Sequence, residues 1–319
     1  MNIINYLFGS PHIIYFSISI FIFLFLIGLI IRFKKYFIVN KVRDFLDMGE
    51  HHQKQGTPTM GGLVFYVVLP MLYFFYAGNL KFWFIAITAG LSGLIGAIDD
   101  WYKINFGVGL TVKIKFILQM VSALFSGLFF YYVFPLDLYI NFFGWHLDLG
   151  VGYIFWIMWV IMATTHAVNL IDGIDGLAIS QILIIQLFSP ISLFINDTFW
   201  NLFSLFWYYF FVFNRYKAKI FMGDVGAFFL GGYLASSFIA ARCELLLVIV
   251  GMIFVINTLM IIIQTAYYKR YKLRFFSFTP YHHALEKRGW SENKICIGYS
   301  FLTIIGSIGG TFLYIRYFN

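Results

Sequence analysis

Groups of carboxylates stand at the edges of long apolar segments in this chain. The sequence has only 14 Asp plus Glu among 319 residues, so acids are scarce elsewhere. An ionised carboxylate next to hydrocarbon is costly, and it therefore pairs, binds a cation or faces water. Four such groups on one membrane face indicate a metal-assisted phosphate site. They are Asp99 with Asp100, Asp172 with Asp175, Asp224, and Glu286 beside His282 and His283.

The strongest of these groups is Asp99-Asp100, which directly follows an apolar run. Adjacent carboxylates repel each other unless a cation lies between them or one is protonated. Such a pair can hold Mg²⁺ through oxygen ligands and leave another carboxylate to accept a proton. Lys103 could contact a phosphate or neutralise the pair. The alternative is a solvated helix end, and the adjacency of two acids favours function over it.

A second segment, residues 169–177, contains two Asp-Gly steps three residues apart. Asn169, Asp172, Gly173 and Asp175 suit hydrogen bonding to a polar ligand such as a nucleobase, a ribose or a hydrated metal. The spacing is not that of a calcium-binding EF-hand loop, because the regular ligands and the terminal Glu are missing. A turn between spanning helices is the plainer alternative, and two aspartates without a basic partner make it the less favoured one.

Two glycine-containing segments allow both a functional and a structural interpretation. Asp224 could cap a helix or be a metal ligand facing Asp99 and Asp100. Phe221, three residues earlier, could equally stack on a base or pack against lipid. The segment 56–62 could present backbone amides to an anion, although an ordinary turn with a helix cap is favoured there. Lys54 just upstream is either a phosphate ligand or a positive charge beside the membrane.

The segment 280–286 contains two adjacent histidines, His282 and His283. Adjacent histidines indicate metal binding, phosphate contact or proton transfer. The order is not His-Glu-x-x-His, which argues against a zinc protease. A single surface histidine would need no function, but a pair beside Glu286 favours one.

Composition predicts an all-α, polytopic membrane protein that forms one domain over residues 1–319. The chain is 61% hydrophobic with a mean hydropathy of +0.83, outside the range of soluble domains. Every backbone polar group in lipid must be satisfied within helices. Ten apolar runs are about as long as spanning helices of ~20 residues. They cover residues 12–33, 61–79, 81–98, 114–134, 150–168, 177–195, 198–214, 225–242, 244–268 and 295–317.

Charge predicts the orientation of these runs. The links after runs 1, 3, 5, 7 and 9, counted with their flanks, hold 19 of the 22 Lys and Arg, all except Lys81, Arg242 and Arg316. These links are therefore expected in the cytoplasm, with both termini outside. All four acidic groups fall on the same cytoplasmic side. The net charge of +8 thus reflects topology, and no basic patch within a recognition fold indicates nucleic acid binding.

The two cysteines, and two prolines within the apolar runs, do not indicate chemistry. Cys243 and Cys296 have no metal-type spacing and are interpreted as incidental apolar residues. Pro70 and Pro190 lie inside predicted spans, where each is expected to kink its helix.

Taken together, the motifs resemble the polyprenyl-phosphate N-acetylhexosamine-1-phosphate transferase superfamily, and within it the phospho-N-acetylmuramoyl-pentapeptide transferase family. Five motifs occur in family order from residue 56 to residue 290, and a ten-span topology with outside termini also agrees. The matching residues are Gly56-Thr57-Pro58-Thr59-Met60-Gly61-Gly62, Asp99-Asp100 with Lys103, Asn169 with Asp172-Gly173 and Asp175-Gly176-Leu177, Phe221-Met222-Gly223-Asp224, and Pro280 with His282-His283, Glu286 and Gly289-Trp290.

The resemblance implies a reaction. Phospho-MurNAc-pentapeptide would pass from UDP-MurNAc-pentapeptide to undecaprenyl phosphate, giving lipid I and UMP for peptidoglycan synthesis. It also implies a Mg²⁺ cofactor, contact with membrane lipids, a homodimer, and a bacterial inner-membrane location with the site facing the cytoplasm.

Residue roles follow from the same resemblance. Asp224 would bind Mg²⁺, Asp99 and Asp100 would be essential acids with Asp99 as the proposed base, and His282 would be catalytic or contact phosphate. The uridine pocket would comprise Asn169, Asp172, Gly173, Asp175 and Phe221. Further substrate contacts would come from Lys54, Thr57, Lys103 and His283.

The chain departs from the family pattern in one motif. Ala284 stands where the family has a third consecutive histidine, and Phe278-Thr279-Pro280 stands where it has Met-Ala-Pro. Activity is expected to survive, because the first histidine should matter most. Two alternatives remain at this point: a GlcNAc-1-phosphate transferase of the same superfamily, and a secondary transporter. Acids at the ends of runs on one face disfavour transport, since transporters place ionisable groups near mid-membrane.

Overall fold

The computed structural model describes residues 11–37, 56–67, 69–70, 78–136, 138–189 and 204–317. The described residues are mostly helical, with 77% helix and 3% strand. Within the described ranges the α-helices are α1 Pro11–Arg32, α2 Leu80–Phe106, α3 Val112–Val133, α4 Tyr153–Ile171, α5 Leu177–Phe188, α6 Ser204–Asn214, α7 Gly223–Ala240, α8 Leu247–Val250, α9 Met252–Tyr271, α10 Tyr281–Lys287 and α11 Glu292–Tyr317. Short 3-10 helices cover Lys34–Tyr36, Gly61–Val67, Gly150–Gly152 and Glu244–Leu246.

Seven helical segments among the described residues are long and apolar enough to cross a membrane. They are Tyr15–Arg32, Leu80–Phe106, Val112–Val133, Gly150–Ile171, Gly223–Ala240, Met252–Tyr271 and Glu292–Tyr317. Seven predicted runs are thereby matched, and the protein has the character of a multi-pass membrane protein.

Three predicted runs are described only in part. The run 61–79 begins as the 3-10 helix Gly61–Val67, and residues 68 and 71–77 lie outside the described part. The runs 177–195 and 198–214 correspond to the shorter helices α5 and α6, with 190–203 outside it. Pro190 lies outside the described residues. The count of ten spans, the kink at Pro70 and the orientation stay predictions.

Helix α2 is longer than its apolar run and corrects one expectation. The run was expected to end at residue 98 with Asp99 and Asp100 after it, but the helix continues to Phe106 and both aspartates lie inside it. Its 27 residues exceed the ~20 that cross the hydrocarbon. Gly107 caps the C-terminus of the helix, and its φ of 72° is the left-handed conformation that favours glycine.

A β-hairpin also departs from the all-helical expectation. Strands β1 Tyr139–Phe142 and β2 Trp145–Asp148 pair antiparallel between α3 and α4. The two turn residues, Phe143 and Gly144, have φ values of 48° and 91°, the sign that a type I′ hairpin turn requires. Each strand has four residues, far fewer than an apolar run of helix length, so the apolar runs of the sequence do not reveal the hairpin.

Helix α7 lies at the centre of the structure, and glycines at its contacts allow its neighbours to come close. A Cβ added at Gly96 of α2 would lie 2.2 Å from the backbone oxygen of Asp224, and one at Gly231 would lie 2.5 Å from Thr165 Cα. A Cβ at Gly232 would lie 2.6 Å from Ser92 Oγ. Small residues let helix backbones approach in membranes, where lipid offers no hydrophobic drive for association. The close packing of α2 and α4 on α7 therefore depends on glycine, which has no side chain, at these contacts.

A polar cluster joins the other end of α7 to α4. The buried carboxylate of Glu244 accepts hydrogen bonds from Tyr153 Oη at 2.9 Å and from Trp156 Nε1 at 3.1 Å. Arg242 donates to Tyr153 Oη at 2.6 Å and to the backbone oxygen of Tyr139 in the hairpin. The cluster stabilises the end of the bundle away from the carboxylate groups identified in the sequence.

We expect Gly96→Ala to destabilise the protein, because its methyl group would overlap the backbone of Asp224. Overpacking of this kind costs about 1–3 kcal/mol. Thermal unfolding of the detergent-purified protein should show a lower midpoint. Gly298→Ala in α11 is the matched control, since a Cβ there meets nothing within 4 Å. An unchanged midpoint for Gly96→Ala would contradict the close packing of α2 on α7.

Candidate active site

Three carboxylates from two helices meet at one end of the bundle. One oxygen each of Asp99, Asp100 and Asp224 lies within 4.8 Å of the others. Asp99 and Asp100 are buried, whereas the Asp224 side chain is 17% exposed. The sequence separates Asp224 from the other two by more than 100 residues, and the packing of α7 on α2 brings it beside them. Oxygen donors in this number suit a hard divalent cation such as Mg²⁺.

Two lysines partly neutralise this carboxylate centre. Lys103 Nζ lies 2.7 Å from Asp99 Oδ2 and 3.0 Å from Asp224 Oδ1. It also lies 3.2 Å from Asp100 Oδ1. Lys115 Nζ lies 2.9 Å from Asp99 Oδ2 and 2.8 Å from Asp224 Oδ2. Three carboxylates facing two ammonium groups keep a net negative charge, so the centre can still attract a cation.

The turn between α2 and α3 places Lys115. After Gly107 ends α2, Thr111 caps α3 by accepting from the backbone N–H of Ile114 at 3.4 Å. The backbone N–H of Leu110 donates to Asp99 Oδ1 at 2.8 Å, which fixes the turn against the carboxylate centre. Lys115 therefore projects from the first turns of α3 towards Asp99. The prediction from sequence missed it, although a lysine inside an apolar run is costly unless it is paired.

The segment after α4 contributes Asn169 and Asp172. Asn169 donates from Nδ2 to Asp224 Oδ1 at 3.1 Å, so it contacts the carboxylate centre directly. The Asp172 side chain is partly exposed, and it lies close enough to the carboxylate centre to interact electrostatically with Asp224 and Asp100. Desolvation raises the pKa of Asp172 well above its ordinary value, and repulsion from Asp224, Asp100 and Asp175 adds to the shift. Asp172 therefore holds its proton more tightly than an ordinary aspartate.

The glycine-rich segment 56–62 pairs with the segment that precedes α7. The backbone N–H of Gly61 donates to Phe221 O and that of Gly62 to Met222 O, each at 2.9 Å. The backbone N–H of Phe221 donates to Pro58 O at 2.8 Å. A Cβ at Gly223, whose φ is 74°, would lie 2.4 Å from Asp100 Oδ2. Glycine there lets the backbone pass directly over the carboxylate centre.

Side chains of two predicted substrate residues lie in this region. Thr57 is partly exposed next to Pro58, and Phe221 is partly buried in the segment before α7. Lys54 lies outside the described residues, so its role stays a prediction.

Helix α10 brings the histidine pair to the Asp172 segment. The His282 ring is 0% exposed, and a Cβ at Gly173 would lie 2.6 Å from His282 Nε2. Neither ring nitrogen of His282 has a hydrogen-bond partner within the described ranges. Burial lowers the pKa of His282 well below its ordinary value, and the charge of His283 adds to this, so the ring stays neutral. His283 Nδ1 lies 2.6 Å from Glu286 Oε2, which orients the second ring.

Asp175 makes two hydrogen bonds that connect it to neighbouring segments of the described structure. Its Oδ2 accepts from the backbone N–H of Ala218 at 2.9 Å, and its own N–H donates to Glu292 Oε2 at 2.9 Å. The carboxylate thus tethers the loop between α6 and α7, and the backbone N–H of the same residue contacts α11. The predicted uridine contact of Asp175 is not tested by these bonds, but they give the residue a role in holding the segments around the site.

The assembled residues offer a definite set of chemical capacities. The carboxylates can hold a divalent cation, and the two lysines can neutralise phosphate oxygens. The neutral imidazole of His282 can donate or accept one hydrogen bond towards a ligand beside Gly173. Such a combination suits the transfer of a phosphoryl group, in which catalysis is mostly positioning and charge stabilisation.

Comparison with known proteins agrees with this chemistry. A sequence model of glycosyl transferase family 4 matches residues 82–242, half of the chain. The phospho-N-acetylmuramoyl-pentapeptide-transferase signature 1 matches residues 54–65, which include the glycine-rich segment.

Several curated relatives cover nearly all of the chain. A phospho-N-acetylmuramoyl-pentapeptide-transferase of Dictyoglomus thermophilum is 35% identical over 93% of this chain and 96% of its own. Proteins with the same description from Streptococcus agalactiae and Acetivibrio thermocellus are 36% and 34% identical. The alignment with the Streptococcus agalactiae protein covers 83% of this chain and 88% of the relative, and the alignment with the Acetivibrio thermocellus protein covers 95% of both.

We expect Asp175→Ala to release the loop between α6 and α7. Loss of the acceptor for the Ala218 amide should cost about 1 kcal/mol or more, enough for roughly fivefold faster local exchange. Hydrogen–deuterium exchange of the peptide containing Ala218 would measure it. Asp175→Asn is the control, because it retains an acceptor oxygen. Equal protection of Ala218 in the alanine variant and the wild type would contradict the tether.

We expect Asp172→Asn to stabilise the metal-free protein at pH 8 and to lose this advantage towards pH 4. The raised pKa means that ionising Asp172 costs the folded state stability as pH rises above ~3.9, the ordinary carboxyl value. Unfolding midpoints in EDTA at both pH values would measure the difference. Asp148→Asn on the exposed hairpin is the control. A greater advantage at pH 4 would refute the desolvation of Asp172.

Proposed function

The chain belongs to the phospho-N-acetylmuramoyl-pentapeptide-transferase family, and from that premise we propose that it transfers phospho-MurNAc-pentapeptide from UDP-MurNAc-pentapeptide to undecaprenyl phosphate. The products are lipid I and UMP, for peptidoglycan synthesis. One phosphoanhydride bond is formed as another is broken, so the reaction is readily reversible. The observation that carries the proposal is the convergence of Asp99, Asp100 and Asp224 with Lys103 and Lys115.

The reaction sets requirements that these residues can meet. An oxygen of the lipid phosphate attacks the β-phosphorus of the nucleotide, and UMP leaves. Both substrates are anionic, so positive charge must be supplied where they meet. Lys103 and Lys115 lie at the carboxylate centre and can neutralise phosphate oxygens of either substrate. Asp99 holds both lysines in position through its ion pairs, and Asp100 holds Lys103.

A magnesium ion fits the donor set of the carboxylate centre. Asp224 is the proposed ligand, with Asp99 and Asp100 completing the acidic group, and their oxygens lie within 4.8 Å of one another. When bound, Mg²⁺ would supply charge stabilisation of the pyrophosphate and of the UMP leaving group. The net negative charge that remains beside the two lysines supports this assignment. Asn169 orients Asp224 through its amide.

Other residues are assigned to the nucleotide and the phosphates. His282, neutral and buried against Gly173, can hydrogen-bond a phosphate oxygen at the donor, and His283 lies next to it. Phe221 is proposed to stack on uracil beside Asp172. The predicted substrate contacts of Thr57, Asp175 and Lys54 remain part of the proposal.

The membrane arrangement is part of the same proposal. Ten spans with both termini outside would put the carboxylate centre at the cytoplasmic face of the inner membrane, where a soluble nucleotide can meet a lipid phosphate. The unequal distribution of Lys and Arg supports this orientation. A homodimer is proposed from the family resemblance alone.

Family membership favours the muramoyl reaction over the two alternatives. The curated relatives are named for the phospho-N-acetylmuramoyl-pentapeptide donor, which argues against a GlcNAc-1-phosphate transferase. A secondary transporter would not require carboxylates and lysines to meet at the end of a bundle. Turnover of UDP-MurNAc-pentapeptide but not of UDP-GlcNAc would distinguish the two donors.

We expect Asp224→Asn to lower Mg²⁺-dependent UMP release by about 100-fold or more, the scale on which removal of one key charge acts. The assay uses purified protein, undecaprenyl phosphate and UDP-MurNAc-pentapeptide, with and without Mg²⁺. Asp148→Asn is the control, since it removes an exposed acid far along the chain from the centre. Thermal unfolding of each variant separates lost activity from lost folding. Near-normal turnover by folded Asp224→Asn would refute the assignment of Asp224.

A further inference from the structure

Two cations lie beside one aromatic ring in the segment that leads to α10. Lys287 Nζ is 3.7 Å from the centroid of the Phe278 ring, and Arg274 Cζ is 5.7 Å from the same centroid. Both cationic side chains are exposed, and Phe278 is partly buried. Contact with the ring stabilises each cation without neutralising it.

These two cations differ from the lysines of the carboxylate centre. Lys103 and Lys115 each contact at least two carboxylates, but Arg274 and Lys287 form no ion pair with any acid in the part of the chain that the structure describes. Two like charges held near one ring repel each other unless an anion lies between them. A carboxylate or phosphate placed there would relieve that repulsion, and Arg can bind a carboxylate with two parallel hydrogen bonds.

The segment that carries the cations is anchored to α9. Gln264 Oε1 accepts from the backbone N–H groups of Phe275 and Phe276 at 3.1 and 2.8 Å. The buried Asn257 Oδ1 accepts from the backbone N–H of Tyr281 at 2.9 Å. These side chains hold both ends of the Phe278 segment, so the cations have a defined position relative to the rest of the site.

The position of Lys287 on α10 is compatible with the length of the donor's peptide. Lys287 and His282 belong to the same short helix, and the rise between them is roughly 7–8 Å at 1.5 Å per residue. His282 in turn lies against Gly173. A peptide attached to the transferred sugar extends by ~3.3 Å per residue, so its free end can pass beyond His282 and reach Lys287.

We propose that Arg274 and Lys287, together with the ring of Phe278, bind the C-terminal carboxylate of the donor's pentapeptide. This inference rests on the proposed function. The carboxylate is present in the ground state and is remote from the reacting phosphates. The pair therefore sets the affinity for peptide-bearing donors and leaves the rate of the chemical step unchanged.

The test compares two donors on two proteins. One donor is UDP-MurNAc-pentapeptide, and the other is the same molecule with its C-terminal carboxylate converted to a carboxamide. We expect the wild type to show a KM about 10-fold higher for the carboxamide, the scale of one charge-assisted hydrogen bond. The double variant Arg274→Gln/Lys287→Gln should show the same raised KM for both donors, with kcat within about twofold of wild type.

Lys34→Gln/Lys35→Gln is the matched control. It removes two exposed cations from another charged segment, and Lys35 also lies over an aromatic ring, 4.9 Å from the centroid of Tyr36. This variant should keep the wild-type preference for the carboxylate donor.

Three outcomes would overturn the inference. In the first, the double variant raises both KM values in proportion, so that the wild-type preference of about 10-fold for the carboxylate donor is retained. In the second, its effect follows the content of anionic lipid in the vesicles and not the donor's carboxylate, which would make the pair a lipid headgroup site. In the third, the wild type releases no UMP from either donor, which would overturn the proposed function as well.

Discussion

The structure depends on the need to neutralise carboxylates that are buried beside hydrocarbon. Asp99 is fully buried, and an isolated charge there would cost far more than the protein's stability allows. Its ion pairs with Lys103 and Lys115 make the burial tolerable. Because Lys103 lies on α2 and Lys115 on α3, and both also contact Asp224 of α7, the same interactions hold three helix ends together. Neutralisation of the carboxylates and association of the three helix ends thus depend on the same contacts.

Close backbone packing allows these ion pairs to form. The distance from α2 to α7 is set by Gly96, beside the backbone of Asp224, and by Gly223, beside Asp100. A side chain at either position would separate the helices and move Asp224 away from its lysines. Ordinary apolar packing would give a stable bundle without a carboxylate centre. The glycines therefore serve function through geometry, since they take no part in chemistry.

Around this centre, α10 and the segment after α4 supply further hydrogen-bonding groups. His282 is carried by α10 and becomes neutral through burial, and Asp172 holds its proton more tightly for the same reason. Asp175, a member of the same motif, holds the loop before α7 through Ala218. One short motif thus contains a residue next to the reacting groups and a residue that fixes the surrounding backbone. Motif membership alone does not distinguish these two roles.

The sequence by itself determined the class of protein and pointed to most of the residues that the structure brings together at the candidate site. Hydropathy alone predicted the seven membrane-length helices found among the described residues, because lipid leaves the backbone no alternative to internal hydrogen bonding. Scarcity of acids identified Asp99, Asp100 and Asp224, since a carboxylate at an apolar edge needs a reason to be there. Short strands of four residues carry too weak a periodic signal, so the hairpin was missed.

Only the tertiary structure decided which of these residues meet. The sequence does not distinguish Lys115 from the charges that set topology, whereas the structure places its Nζ 2.8 Å from Asp224 Oδ2. The sequence likewise gives Asp172 and Asp175 the same character, and only the hydrogen bond from Ala218 to Asp175 separates their roles. Contacts between residues more than 100 positions apart depend on how helices pack. Packing depends on shape at every interface at once, and a linear pattern of residue types does not contain that information.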